Sequence, residues 1–378
     1  MTTLIVDFEP HQVAIQLQKR TSAFFVALLI AGLIDLPACR AEEPSVLPFV
    51  TTDVVVKRNA VTGQTIRVAG VIEELRGELV ELRRAGGNRT DRIPLREISE
   101  LIFHKSEQHN QGLLLLQEAK WSEAAKRLEE AADDERRDWV VREIQASQAV
   151  ALRSSGQTAR MISVIEQIAK SDPDTRHVVL LPLIWNDRDS SVDRSSPSPE
   201  STRNLSSESS LIRLMAASAL LANPTESSAA IRCLQELRVG GDTGIQQVAE
   251  VQLWRRPLIS SEELRDGEIR SWQRRAPEFS QQLRGYAEFL IGRAKMIRHE
   301  YDAAARHFLW MPLMCPQDET AASASLLDAA TCMKSSGRQA MGIQLLTELQ
   351  QRFPNSPAAA ERSSEPEQAP QQLQPLQK

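Results

Sequence analysis

Residues 285–311 read GYAEFLIGRAKMIRHEYDAAARHFLWM. Gly292 is followed by Tyr301, Ala304 and Phe308, with Met311 three residues further on. Apolar residues at steps of three and four predict helical faces, and the polar turn between them predicts two short antiparallel helices. Small residues are placed where the helices would cross, and large apolar ones where a seam needs filling.

The same grammar recurs elsewhere. Gly112, Trp121, Ala124 and Leu128 match Gly292, Tyr301, Ala304 and Phe308 at a shift of 180, and Ala131 extends the first stripe. Gly156, Ile165 and Pro173 match Gly337, Leu346 and Pro354 at a shift of 181. Gly156 stands where a helix should stop, and Pro173 and Pro354 close the helices that follow. A small residue in the first helix, an aromatic and then Ala in the second, and Pro after it resembles the tetratricopeptide repeat. Met161 departs from that pattern, in which the family has Ala. The resemblance implies stacked helical hairpins. Gly112, Trp121, Ala124, Leu128, Ala131, Gly156, Pro173, Gly292, Tyr301, Ala304, Phe308, Gly337, Leu346 and Pro354 would then be repeat-packing residues. A partner-binding surface would lie on the charged side of the helix opposite, near Glu288, Arg293 and Lys295.

Among 378 residues, 42% are hydrophobic, 25% charged and only 4% aromatic. That composition suits helices packed through Ala and Leu better than an aromatic-cored β-sandwich. A net charge of -5 supplies no general attraction for nucleic acid, and no nucleic acid partner is expected. The four cysteines, at 39, 233, 315 and 332, have no CxxC or zinc-ligand spacing and read as small buried hydrophobes. A single Cys315–Cys332 disulfide is the alternative. His104 and His109 lie too far apart for one helix face and read as surface or junction residues.

Residues 1–41 read as a signal peptide. Lys19 and Arg20 precede the apolar run Phe24–Ile34, and Cys39-Arg40-Ala41 suits cleavage. The run is too short to span a bilayer. In an alternative reading, Leu36-Pro37-Ala38-Cys39 resembles a bacterial lipobox, implying membrane attachment through acylated Cys39; Pro37 departs from that pattern. Both readings place the protein outside the cytoplasm, periplasmic or associated with the cell envelope.

Over residues 50–104 the period falls to two. Asp53–Lys57, Gln64–Leu75, Glu78–Arg84 and Ile98–His104 are strand-like, separated by turn signals at Thr62-Gly63, Arg76-Gly77 and Ala85–Asn88. Gly70, inside the long strand, predicts a bend or bulge. The pattern resembles SH3-like and Sm-like small barrels. Arg83, Arg84, Arg89 and Arg92 cluster near the third strand, and read either as a contact for an anionic polymer or as a solvated hairpin face.

Helical repeats of tetratricopeptide type are expected over 106–185. Residues 186–210, rich in Ser, Asp, Arg and Pro, read as a disordered linker. Residues 211–280 predict a second helical block, in which Arg213-x-x-Ala-Ala-x-x-Leu-Leu resembles a HEAT-type pair. The clear repeats occupy 281–357, and 358–378 reads as a disordered tail. The expected fold is therefore mostly α, an α-solenoid preceded by a small β-barrel.

No P-loop, GxGxxG, GxSxG or HExxH is present in the sequence. No catalytic, cofactor or metal residues are assigned. The chain looks like exported bacterial tetratricopeptide-repeat proteins, which implies a non-catalytic scaffold for a protein or peptide partner in envelope assembly. The alternative makes the β-barrel a binder of an anionic polymer or peptide, with the repeats as its stalk.

Overall fold

A computed structural model describes residues 52–58, 63–87, 89–186, 199–260 and 264–364. The signal-peptide and lipobox readings fall on residues outside these, as does the end of the chain from 365.

Five antiparallel strands come first: β1 (Asp53–Arg58), β2 (Thr65–Arg76), β3 (Leu79–Arg84), β4 (Thr90–Pro94) and β5 (Ile98–Ile102). Their order is β4-β3-β2-β1-β5. Gly70 is the pivot, paired with Asp53 of β1 on one side and Arg84 of β3 on the other. A Cβ at this position would lie 2.3 Å from the Arg83 carbonyl oxygen, so only glycine permits the crossing. A register shift between Ile72 and Glu74 adds the bulge. The bend or bulge expected at Gly70 is found instead as the shift between Ile72 and Glu74, Gly70 itself being regularly paired, and the expected barrel is absent: β4 and β5 remain the two edges of an open sheet. The reason lies in what fills its concave face. Leu128, Ala131, Trp139, Val140 and Ile144, all from helices, pack on Val55, Ile72, Leu75, Val80, Leu82 and Ile93. Two helices occupy the place of the opposite barrel wall, so this face is buried without closure.

The helices α1 (Glu107–Gln117), α2 (Trp121–Asp134), α3 (Asp138–Ser154) and α4 (Thr158–Ser171) pack each against the next. After a 3-10 turn at Arg176–Leu180, an extended strap reaches Asn186. Then follow α5 (Pro199–Asn204), α6 (Ser210–Leu220), α7 (Ser227–Gly240), α8 (Thr243–Leu253), α9 (Arg255–Ile259) and α10 (Asp266–Arg275). The opening stretch forms α11 (Gln281–Ile297) and α12 (Tyr301–Phe308), a packed antiparallel pair. Helices α13 (Trp310–Met314), α14 (Glu319–Ser335), α15 (Gln339–Arg352) and α16 (Pro357–Ser364) complete it.

Two of these helices lie where composition predicts disorder. Helix α5 falls within 186–210. Helix α16 lies at the start of the Pro- and Gln-rich tail, with Ala358 and Ala359 buried beside Leu346, Leu349 and Phe353. The Ser356 hydroxyl caps it by accepting from Ala359 N at 3.2 Å. Average composition hides such a short Ala face.

The turns repeat as closely as the sequence does. Lys120 N donates to Leu115 O at 2.9 Å and Glu300 N to Lys295 O at 2.9 Å; Gln157 N to Leu152 O and Arg338 N to Met333 O are both 2.8 Å. All four are Schellman-type closures with a left-handed residue at the turn: Ala119, Gly156, His299 and Gly337. One apolar core runs from Ala124 to Met333, through both sets of helix pairs and the block between them. Segments that read as separate blocks in sequence therefore share an interior.

Candidate functional site

Of the expected packing residues, Gly112, Ala124, Leu128, Ala131, Gly292, Ala304, Phe308 and Leu346 are buried. Trp121 and Tyr301 are half-buried. Gly156, Gly337, Pro173 and Pro354 are exposed and act in chain direction, as turn formers and helix ends, rather than in packing. A Cβ on Gly112 would meet Leu128 Cδ2 at 2.7 Å, and one on Gly292 would meet Phe308 Cδ1 at 2.9 Å. The same close approach is built twice.

The charged surface expected at Glu288, Arg293 and Lys295 needs correction. Glu288 is only 5% exposed. It accepts from His307 Nδ1 at 2.7 Å and from Arg284 Nε at 3.3 Å, which ties α11 to α12. Arg293 donates to Asn186 Oδ1 at 3.0 Å, and Lys295 Nζ to Glu300 Oε2 at 2.7 Å. These groups hold the pair and the strap in place. A helix packed on both sides by neighbours has a buried charged residue only where a partner is built for it.

A shallow, open surface depression of about 370 Å³ lies at the ends of the helices, lined by His299, Glu300, Tyr301, Asp302, Ala303, Arg306 and Ser336. His299 Nδ1 and the Tyr301 hydroxyl are hydrogen-bonded at 2.7 Å. Arg338, just before α15, reaches across to Asp302 at 3.0 Å. His299 stands at φ +60, where Gly or Asn would be easier. A histidine in that left-handed turn position was the available sequence signal for this depression, and spacing alone does not pick it out.

The β-sheet arginines do not form a free basic patch. Arg83 pairs with Glu73 at 2.8 Å, Arg84 with Asp91 at 2.5 Å, Arg89 with Asp91 at 3.1 Å and Arg92 with Glu81 at 2.9 Å. Cross-strand carboxylates neutralise most of the charge in place.

A third arrangement joins the two halves of the chain. Asp318, the N-cap of α14, accepts from Ala321 N at 3.2 Å, from Arg153 Nη2 at 2.9 Å and from the Tyr286 hydroxyl. Burial pushes the Tyr286 phenol well up, and the neighbouring Asp318 carboxylate adds to this, so the phenol stays a donor. Tyr286 also stacks on Trp185 of the strap, 4.3 Å between centroids. The adjoining cavity, about 10 Å³, has no room for an organic ligand. This cluster is a clasp. Asp318→Ala should lower stability by about 2–3 kcal/mol, because it strands a buried phenol and a helix N-terminus together. Urea unfolding of the purified chain measures it, and a loss under about 0.5 kcal/mol would remove the clasp from the account.

Cys233, Cys315 and Cys332 are buried, and the Cys315–Cys332 bridge is not formed. Cys315 Sγ donates to Gln282 O at 3.2 Å. Among the described residues no group of three or more His, Cys, Asp or Glu could hold a metal ion. No described helix is long and apolar enough to cross a membrane. The sequence matches no protein-family model, and comparison with curated proteins and with solved structures found no match.

Proposed function

We propose that this protein is an exported, non-catalytic scaffold that binds a protein or peptide partner on a helical-repeat surface, in the assembly of a cell envelope. The observation that carries the reading is the recurrence of one hairpin design. The Gly112–Leu128 and Gly292–Phe308 contacts and the four Schellman-type turns stand at matching offsets on either side of one continuous core. Stacked hairpins of tetratricopeptide type bury their seams and leave turn ends and one helix face for partners. The depression at His299, Tyr301 and Arg306 is the place we assign to the partner. Export is supported by the charged and apolar pattern of residues 19–41.

The alternative, in which the sheet grips an anionic polymer, draws less support. Its four arginines are held by Glu73, Glu81 and Asp91. The two readings separate in one experiment. The immobilised chain is exposed to an envelope extract beside two variants, one carrying His299→Asp and Arg306→Glu, the other serine at Arg83, Arg84, Arg89 and Arg92. The scaffold reading expects the first variant to lose the bound partner by at least about tenfold, a difference of about 1.4 kcal/mol, and the second to retain it. Loss from the second variant alone transfers the function to the sheet.

A further inference from the structure

The joint between sheet and helices is tied by polar contacts as well as by its apolar core. Trp139 Nε1 donates to Ile72 O at 3.1 Å, Arg142 Nη2 to Leu75 O at 2.8 Å, and Gly77 N to Asp172 Oδ2 at 2.8 Å. A buried histidine sits at either side of it. His109, in α1, is 3% exposed and His177, in the 3-10 turn, 4%. In both rings Nδ1 is buried without a hydrogen-bond partner.

Neither ring has a place for a second proton. The His109 ring lies 6.3 Å from Phe103, whose edge meets Trp139 at 4.8 Å. Lys105 Nζ is already 4.5 Å from the Phe103 centroid, and the Arg137 guanidinium is 5.7 Å from it. A charged His109 would be a third cation in this knot. The carboxylates facing it are Glu135 and Glu143. Glu135 is committed to Arg137 at 2.8 Å, and Glu143 to Arg176 at 2.7 Å. His177 faces Arg176, Glu143 and Asp172, and places Nε2 3.0 Å from Glu143 Oε1. Asp172 is occupied by Gly77 N at 2.8 Å and Asp174 N at 3.1 Å.

We propose that this joint is an acid-release device: protonation of His109 and His177 frees the β-sheet from α3 while α14 and α15 stay folded. Burial, with Lys105 next in weight, brings the His109 imidazole down from 6.5 to about 4. Burial, followed by Arg176, also lowers His177. A group depressed in the folded state contributes stability that is complete above its unfolded value and is lost as pH falls. The His109 contribution is therefore present above pH 6.5 and drains between 6.5 and about 4. Glu78 runs the other way. Burial raises its carboxyl against the pull of Arg176, so its proton uptake offsets part of the loss as the pH falls.

Hydrogen exchange of the full chain, read by mass spectrometry between pH 7.5 and 4.5 and corrected for intrinsic rates, tests this. Peptides from β2, β3 and α3 should lose protection by a factor approaching about a hundred, each unit of displaced pKa being tenfold. Peptides from α14 and α15 should keep theirs. His109→Phe and His177→Gln together should hold the joint closed at pH 4.5, and each alone should recover part of the lost protection. Full protection of the wild-type joint at pH 4.5, or simultaneous loss across all helices, overturns the proposal whether or not the variants fold. Variants that fold at pH 7.5 and then open like the wild type overturn it as well.

Discussion

Trp139→Ala should destabilise the protein by about 3–5 kcal/mol, the range for truncating a large buried aromatic. Trp139 is 2% exposed and lies on α3 against the concave face of the sheet, in one cluster with Val55, Ile72, Leu75 and Leu82. It also makes an edge contact with Phe103 and donates to the Ile72 carbonyl at 3.1 Å. Truncation removes the largest side chain that the helices place on the open sheet, beside Leu128, Ala131, Val140 and Ile144, and leaves that carbonyl short of a donor. Trp139→Phe separates the two effects. It keeps most of the apolar contact and loses the N–H, so it should cost about 1–2 kcal/mol. Urea unfolding with hydrogen exchange as the local readout decides. A drop below about 1 kcal/mol for Trp139→Ala would mean that the sheet is supported in some other way.

The second large effect concerns the helix crossing in residues 285–311. Gly292→Leu should cost about 3 kcal/mol through overpacking. Its Cβ would lie 2.9 Å from both Cδ1 and Cε1 of Phe308, and α11 cannot move away without disturbing the core around it, where Phe289, Leu290 and Ile291 are also buried. Phe308→Ala alone should cost about 3–5 kcal/mol, since the ring is wholly buried. Combined, the two changes should cost less than their sum by about 1–3 kcal/mol, because the new leucine enters the space that the ring vacates. Strict additivity would show that Gly292 and Phe308 do not share a contact. The homologous pair Gly112 and Leu128 should behave alike, with a smaller term for an aliphatic partner.

Much of the helical architecture was legible. The packed pair of α11 and α12, the glycine at each crossing and the left-handed turns at Gly156 and Gly337 depend on residues a few positions away. Periodicity and capping rules report on that range. A glycine inside an alternating strand marked Gly70 as special, and the close approach of the Arg83 carbonyl there is what requires it. The strand Thr90–Pro94 escaped notice because Pro94 ends it and only part of it alternates.

The candidate site was less legible. Glu288, Arg293 and Lys295 look like a charged helix face until α12 and the strap cover them. The partners of Glu288 and Arg293, His307 and Asn186, lie 19 and 107 residues away, whereas Lys295 pairs locally with Glu300. The arginines near β3 look like a basic patch until Glu73, Glu81 and Asp91 are brought across the sheet.

The sequence alone therefore determined the helical class, the hairpin grammar, its echo across the chain and the position of the β unit. Each of these is set by steric and hydrogen-bonding preferences within a turn or a strand. Only the tertiary structure decided that the sheet stays open, that the helical segments share one core, and that Glu288 of the expected binding face is buried while Arg293 and Lys295 are half-buried and paired. Those outcomes rest on contacts such as Trp139 to Ile72, Gly77 to Asp172 and Arg153 to Asp318, which span 67, 95 and 165 residues. Burial at that range depends on which surfaces meet, and local pattern carries no record of the meeting.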